Sequence, residues 1–296
     1  MVTLRHTVLL APVPRAWCTD ALAVTLDLAE ATRAEPGGRV VLPDGRPVPD
    51  VRLAEGRHLR RGAVYEADGG DDGPVEAAAG QETAPEERIR VTVAEWDRSR
   101  ALRLDIASTG AEGEITARCA LRGPDRPRDA DVTGRAHLEG VWAPLSRFEG
   151  RARLQLDDWW AATDTGRVPR TAPLRVRLRC GIARADLRVT PAPAPADGHW
   201  QVTVTVRIRG RYLFRPVAAL VLLFTRPHLR RALAEGLTDT AAHWNKEVPR
   251  LTGLTADALR RELVAGLQDG DGNGDGGSFS VSGQTPVGPA HALRLL

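Results

Sequence analysis

The amino-acid sequence predicts an α+β fold in which a curved antiparallel sheet wraps around a long C-terminal helix. Three observations predict it. Apolar and polar residues alternate with period two in short segments through most of the chain, while helical periodicity is confined to its two ends. The longest apolar run, Val217 to Phe224, passes directly into an Arg-rich stretch with helical spacing.

Element by element, the first stretch, MVTLRHTVLLAPVPRAWC, mimics a short signal peptide. Its apolar stretch spans only Val8 to Val13 and no small-x-small cleavage site follows, so it reads as a strand entering a turn. Pro14 to Leu28 forms a first helix, with Pro14 near its first turn and Trp17, Ala21, Val24 and Leu28 on one face. Residues 68 to 87 are acidic, rich in Gly and Pro and without periodicity, which marks a surface loop.

Alternation then marks strands at Ile89 to Val93, Leu102 to Ile106, Ile115 to Leu121, Val132 to Leu138 and Ala152 to Leu156. In the next strand Leu174, Val176, Leu178, Cys180 and Ile182 alternate with Arg175, Arg177 and Arg179. The phase then slips, so that Ala183, Ala185, Leu187 and Val189 face inward, and a bulge or sharp bend near Gly181 accounts for the slip. Trp200 to Ile208 is the last strand and pairs in a long hairpin across the rigid Pro191 to Pro195 segment. The main helix opens at about Pro216, bends at Pro227 and ends at Pro249, with Leu229, Leu233, Leu237, Thr240, Trp244 and Val248 as one stripe. A shorter helix opens at Thr255 and carries Leu259, Leu263 and Leu267.

The 296 residues are 42% hydrophobic and 27% charged, which places the chain among globular proteins with a sizeable core. Lys+Arg 41 against Asp+Glu 38 leaves a net charge of only +3, and Lys246 is the single lysine. The arginines alternate along strands and aromatic residues make up 4%, so neither a basic arm nor a stacking platform is evident and no nucleic-acid partner is expected. The apolar run 217 to 224 is flanked by Arg215 and Arg226 and falls well short of the roughly 20 residues that span a bilayer. Cys18, Cys119 and Cys180 are odd in number and lie among apolar neighbours, as buried free thiols in a reducing, cytoplasmic setting would.

The stretch VTVTVRIRGRYLFRPVAALVLLFTRPHLRRALAEGLTDTAAHWN resembles the closing strand and long C-terminal helix of START-like, polyketide-cyclase-type (SRPBCC) proteins, the helix-grip fold. VTLRHTVLLAPVPRAW resembles that family's first strand and proline-containing entry to the first helix, and WDRSRALRLDIAS followed by GEITARCAL its central hairpins. The resemblance covers residues 1 to 121 and 174 to 248, while residues 122 to 173 add strands and a Trp-rich segment. It implies an enlarged domain over 1 to 253, a short accessory helix over 254 to 268 and a flexible Gly/Asp-rich tail over 269 to 296. One enlarged domain is preferred to a degenerate tandem whose second unit starts at about 146. The family's implied function is binding of a hydrophobic or aromatic small molecule, lipid or polyketide-like, between the sheet and the C-terminal helix. The alternatives are a cyclase or aromatase working in the same cavity, or a partner-binding module whose cavity has collapsed.

Under that resemblance Leu233, Leu237, Thr240 and Trp244 line the cavity; ordinary core packing is the competing reading for the leucines. His6 sits mid-strand on the apolar side, either as a cavity acid/base group or as a hydrogen-bonded core histidine. His243, beside Trp244, is expected to be solvated. Asp157-Asp158-Trp159-Trp160 offers two carboxylates beside two aromatics. Adjacent strand residues point to opposite faces, so a surface loop anchored by one Trp is favoured over an acid/base pair, with Trp159 as a ligand-contact candidate. No pair among the seven histidines has metal-ligand spacing and no phosphate loop or nucleophile elbow occurs, so no metal and no cofactor is expected. Asp271, Asn273, Asp275 and Gly276 match the first half of a calcium loop. Ser282 stands where its bidentate carboxylate belongs, and a plain Gly/Asp linker is the favoured reading.

Overall fold

The computed structural model describes residues 1–69, 87–111, 113–194, 198–211 and 215–268. The acidic segment within 68 to 87, the Gly/Asp tail with its calcium-loop pattern, and the side chains of the apolar run 217 to 224 lie outside the described residues.

Among the described residues, all strands belong to one antiparallel sheet of thirteen. β1 (Val2–Leu10) leads into α1 (Arg15–Ala31), and β2 (Arg33–Ala34), β3 (Arg39–Val41), β4 (Pro47–Glu55) and β5 (Val64–Gly69) follow. Next come β6 (Glu87–Asp97), β7 (Ala101–Gly110), β8 (Gly113–Arg122) and β9 (Asp129–Leu138). A single turn α2 (Ala143–Ser146), β10 (Arg147–Gln155), α3 (Leu156–Thr165), β11 (Leu174–Arg179), β12 (Ala183–Pro193) and β13 (Trp200–Gly210) precede α4 (Arg215–Thr252) and α5 (Ala256–Gln268). From β2 to β13 each strand pairs with its successor, and β1 closes the order beside β13.

The alternation read from the sequence becomes two faces. One row crosses nine strands as Leu4, Val206, Leu187, Val176, Ala152, Val132, Cys119, Leu104 and Val93, each opposite the next. The neighbouring row on the other face reads Thr3, Arg207, Asp186, Arg177, Arg151, Thr133, Arg118, Asp105 and Thr92. Between β7 and β1 the ladder has no register shift. Since a slip of one residue would exchange the faces, this half of the sheet is held in one phase throughout.

The apolar face gathers two clusters. Leu28, Val40, Leu42, Tyr65, Val91, Val93 and their neighbours form one around β3 to β7. Trp160, Val189, Trp200, Val202 and Val204 form the other around β12 and β13.

The expected wrapping of the sheet around one long C-terminal helix is not found. The C-terminal helical part is divided between α4, which contains Pro227 and Pro249, and α5. α4 packs chiefly on β1 and β13, whereas α5 packs on α1 and β4 at the other end of the strand order. The reason is width. Thirteen strands at about 4.8 Å extend over roughly 60 Å, and a helix about 10–12 Å thick covers two or three of them.

Three smaller expectations are also corrected. Of the two expectations near Gly181 the sharp bend is found and the bulge is not: the chain reverses there between two separate strands, with Cys180 N–H bonded to Ala183 O at 2.9 Å. There a side chain at Gly181 would place its Cβ 2.5 Å from the Pro144 carbonyl oxygen. Asp157 to Trp160 is the first turn of α3 rather than a surface loop. Its two carboxylates meet the positive end of the helix dipole, and Gly166 ends it at φ 67. The three cysteines are unpaired but half-buried rather than fully buried.

α4 is fastened to the exit of β1 by two side chains. Trp244 Nε1 donates to Ala11 O at 2.9 Å, Asn245 Oδ1 accepts from Ala11 N at 2.6 Å, and Asn245 Nδ2 donates to Leu9 O at 3.0 Å. Ala11 is buried, so its amide has no water to turn to. Asn245→Ala is expected to destabilise the protein by about 1–3 kcal/mol in urea denaturation, because it leaves that buried N–H unpaired.

Candidate functional site

A largely apolar cavity lies under α1 and α5, at the β2 end of the sheet, with a volume of about 340 Å³. Its walls come from Leu28 and Ala29 of α1, Val40, Val48 and Val51 of β3 and β4, and Leu259, Leu263 and Leu267 of α5. The 259, 263, 267 stripe read from the sequence thus turns toward a cavity, on the helix expected to be accessory.

α1 is held over this region by Arg98 at the β6–β7 turn. Its guanidinium contacts Asp27 and Glu30 of α1 and also Asp125, at 3.1 Å from the last. Trp96 Nε1 adds a hydrogen bond to Glu30 at 3.0 Å. α5 is tied at its C-terminal end, where Gln268 donates to Pro47 O at 2.9 Å.

Thr25 and Glu262 also line the cavity, the first bonded to Ala21 O at 2.8 Å and the second paired with Arg250 at 2.6 Å, and the remaining polar groups enter it as one directed chain. Thr32 Oγ1 lies 2.6 Å from Ala29 O and can only donate to it. The Thr32 oxygen must then accept from His58 Nε2 at 3.0 Å, which fixes the Nε2–H tautomer and leaves Nδ1 as an acceptor. Tyr65 Oη, 2.9 Å away, supplies the proton to Nδ1 and itself accepts from Leu59 N–H at 2.8 Å. The His58 and Tyr65 rings meet edge to face, 5.8 Å between centroids.

Burial sets the titration of both rings. Desolvation pushes His58 below the ordinary histidine value, against a smaller opposing effect of the nearby Ala29 and Thr32 backbone, and pushes the Tyr65 phenol up. Both are neutral near pH 7, as the hydrogen-bond chain requires. Leu59, between them and lining the same cavity, has φ 51, a left-handed conformation rare for a bulky side chain. Such strain persists where surrounding contacts over-determine it, here through the amide bond to Tyr65.

The residues singled out in the sequence lie elsewhere. Leu237 and Trp159 reach the cluster around Trp200, and Trp159 meets that ring edge-on at 5.8 Å. His6 is half-buried opposite Val204, Leu233 is half-buried, and Thr240 is exposed with its hydroxyl bonded to Gly236 O at 2.7 Å. Trp244 spends its N–H on Ala11, and His243 is exposed as expected. None of the six candidates lines the 340 Å³ cavity. Thr32, His58 and Tyr65 were missed because no spacing links them. Among the described residues, no group of three metal-binding side chains occurs, and no helix is long and apolar enough to cross a membrane.

No family model matches the sequence, and no curated protein matches it. Among solved structures, that of DynU16, a protein of the dynemicin biosynthetic locus, is 12% identical to this chain. The match covers 69% of this chain and 86% of that one at a TM-score of 0.18, too low to carry an argument about fold or function.

The His58 chain makes stability depend on pH. A histidine held below its unfolded value near 6.5 contributes fully above that pH, and its contribution is lost as pH falls from there toward the folded value, because only the unfolded state takes up the proton. The melting temperature is therefore expected to fall between about pH 7 and pH 5. The His58→Gln profile should be flatter over that window, the difference between the two profiles isolating this residue from the other histidines.

Proposed function

We propose that this protein binds an apolar small molecule in the cavity between α1, α5 and β3 to β5. The observation that carries the reading is the combination of an apolar cavity of about 340 Å³ with polar lining residues whose hydrogen-bonding groups already have partners within the protein. Small-molecule sites begin at roughly 300 Å³ and are mostly apolar. With Thr32, His58 and Tyr65 satisfied internally, a guest loses nothing by lacking hydrogen-bond partners of its own. A cyclase-type reaction would have to draw on His58 and Tyr65. Their protons are committed to the chain between Leu59 and Ala29, so binding ranks above catalysis.

Gly266 provides the test. It lines the cavity on α5, and a Cβ built there meets nothing within 4 Å. Gly266→Ala is expected to raise stability by about 0.5–1 kcal/mol, from helix propensity alone. Gly266→Phe should fill the cavity. Wild-type protein should bind the neutral probe N-phenyl-1-naphthylamine, and a panel of fatty alcohols, flavonoids and polycyclic aromatics should include members that raise its melting temperature by mass action. Gly266→Phe should keep the fold and lose both effects. Probe binding that is unchanged in Gly266→Phe, or a panel without any thermal shift, would overturn the proposal.

A further inference from the structure

The second face of the sheet carries a feature independent of the cavity. Over β11, β12, β13 and β1 three adjacent rows read Arg175, Arg188, Thr205, Arg5; Arg177, Asp186, Arg207, Thr3; and Arg179, Arg184, Arg209. Eight arginines there face one carboxylate. Arg175 stands directly across from Arg188, Arg179 from Arg184, and Arg184 from Arg209. Like charges in direct cross-strand register are destabilising.

The rest of the same face does not share this imbalance. Arg118 pairs with Asp105 at 2.6 Å, Arg52 with Glu66 at 2.6 Å and Arg103 with Glu95 at 3.1 Å. In the array, Asp186 is shared by Arg184 at 3.1 Å and Arg177 at 3.6 Å. Among the described residues, Arg5, Arg179, Arg188, Arg207 and Arg209 have no acidic partner. The Nε atoms of Arg184 and Arg207 are buried and lack a hydrogen-bond partner there. The fold gains nothing from this arrangement, since the opposite face already holds the strands together through its apolar rows.

We infer that this face binds the phosphate backbone of duplex nucleic acid without reading its sequence. Guanidinium forks match phosphate oxygens, and regularly spaced arginines on neighbouring strands present them as an array. No aromatic side chain stands among the three rows, so the face has no platform for stacking the bases of a single strand. Neighbouring strands rotate by roughly 20–25°, which makes the face a saddle; a saddle follows a cylinder but meets a flat bilayer over only part of its area. Threonines and Asp186 fill the gaps between the arginines, with no apolar side chain to enter a membrane. The even net charge hides all this, because the arginines dispersed in sequence are collected by the register.

The test measures fluorescence anisotropy of a random-sequence 20-base-pair duplex with the full chain, across a salt titration. Wild-type protein is expected to bind with a slope of log K against log salt near −0.9 for each phosphate neutralised, about −4 to −6 in all. Replacing Arg5, Arg179, Arg188 and Arg209 together by Gln should remove about 3 to 4 units of that slope and weaken binding at low salt by about 100-fold or more. The four corresponding Lys replacements should keep the slope, which separates charge from folding, and Arg52→Gln on the paired half should bind as wild type. The inference is overturned if wild-type protein shows no salt-dependent duplex binding or if the four-Gln variant binds like wild type. It is also overturned if the Lys variant loses the slope, if Arg52→Gln weakens binding as the four-Gln variant does, or if wild type binds phosphatidylserine vesicles and not the duplex.

Discussion

Everything in this molecule depends on an unbroken antiparallel register from β7 across to β1. Side chains alternate between faces with a period of two, so a single slip anywhere along the ladder would carry every later strand's apolar residues to the solvent side. Because none occurs in this half, Leu4 and Leu104, at its two ends, belong to one face, and Thr3 and Asp105 to the other. The bulges that do occur lie between β3 and β4, β4 and β5, and β6 and β7, near the end where the cavity forms. Irregular pairing and the concave site fall in the same region, as expected where a sheet is bent locally.

A sheet this wide cannot be covered by one helix, and the helices divide the work. α4 and α3 cover the β12, β13 and β1 end, around Trp160 and Trp200. α1 and α5 cover the opposite end, around Leu42, Tyr65 and Val91. The α4 end is closed tightly by Trp244 and Asn245 on the β1 exit. At the other end two helices bridge a curved edge and leave room between them, and the space is bounded by Arg98 holding α1 and Gln268 holding α5. The cavity is thus the volume left between α1, α5 and the sheet beneath them.

Inside it, the Thr32–His58–Tyr65 chain resolves a conflict. A histidine and a tyrosine facing apolar walls would each cost stability if left unpaired. Linked to each other and to the backbone at Ala29 and Leu59, they are satisfied without water. This fixes the tautomer of His58, keeps it neutral, and holds Leu59 in a backbone conformation it would not adopt alone.

By itself the sequence determined most strands from Ile89 onward, although it ran β11 and β12 together, as well as the hairpin closed by the proline segment and the apolar stripe of the last helix. These are local properties, set by alternation, turn chemistry and helical spacing within a few residues. It left the strands between Arg33 and Gly69 unread: β2 and β3 are two and three residues long, and the nine residues of β4 are interrupted by Pro47, Pro49 and a register shift, so no sustained alternation shows. Only the tertiary structure decided that the last helices would sit at opposite ends of one wide sheet, that Thr32, His58 and Tyr65 would meet, and that arginines alternating on separate strands would share a face. Each of those outcomes depends on which strand lies beside which and in what register, a relation between distant segments that no local pattern carries.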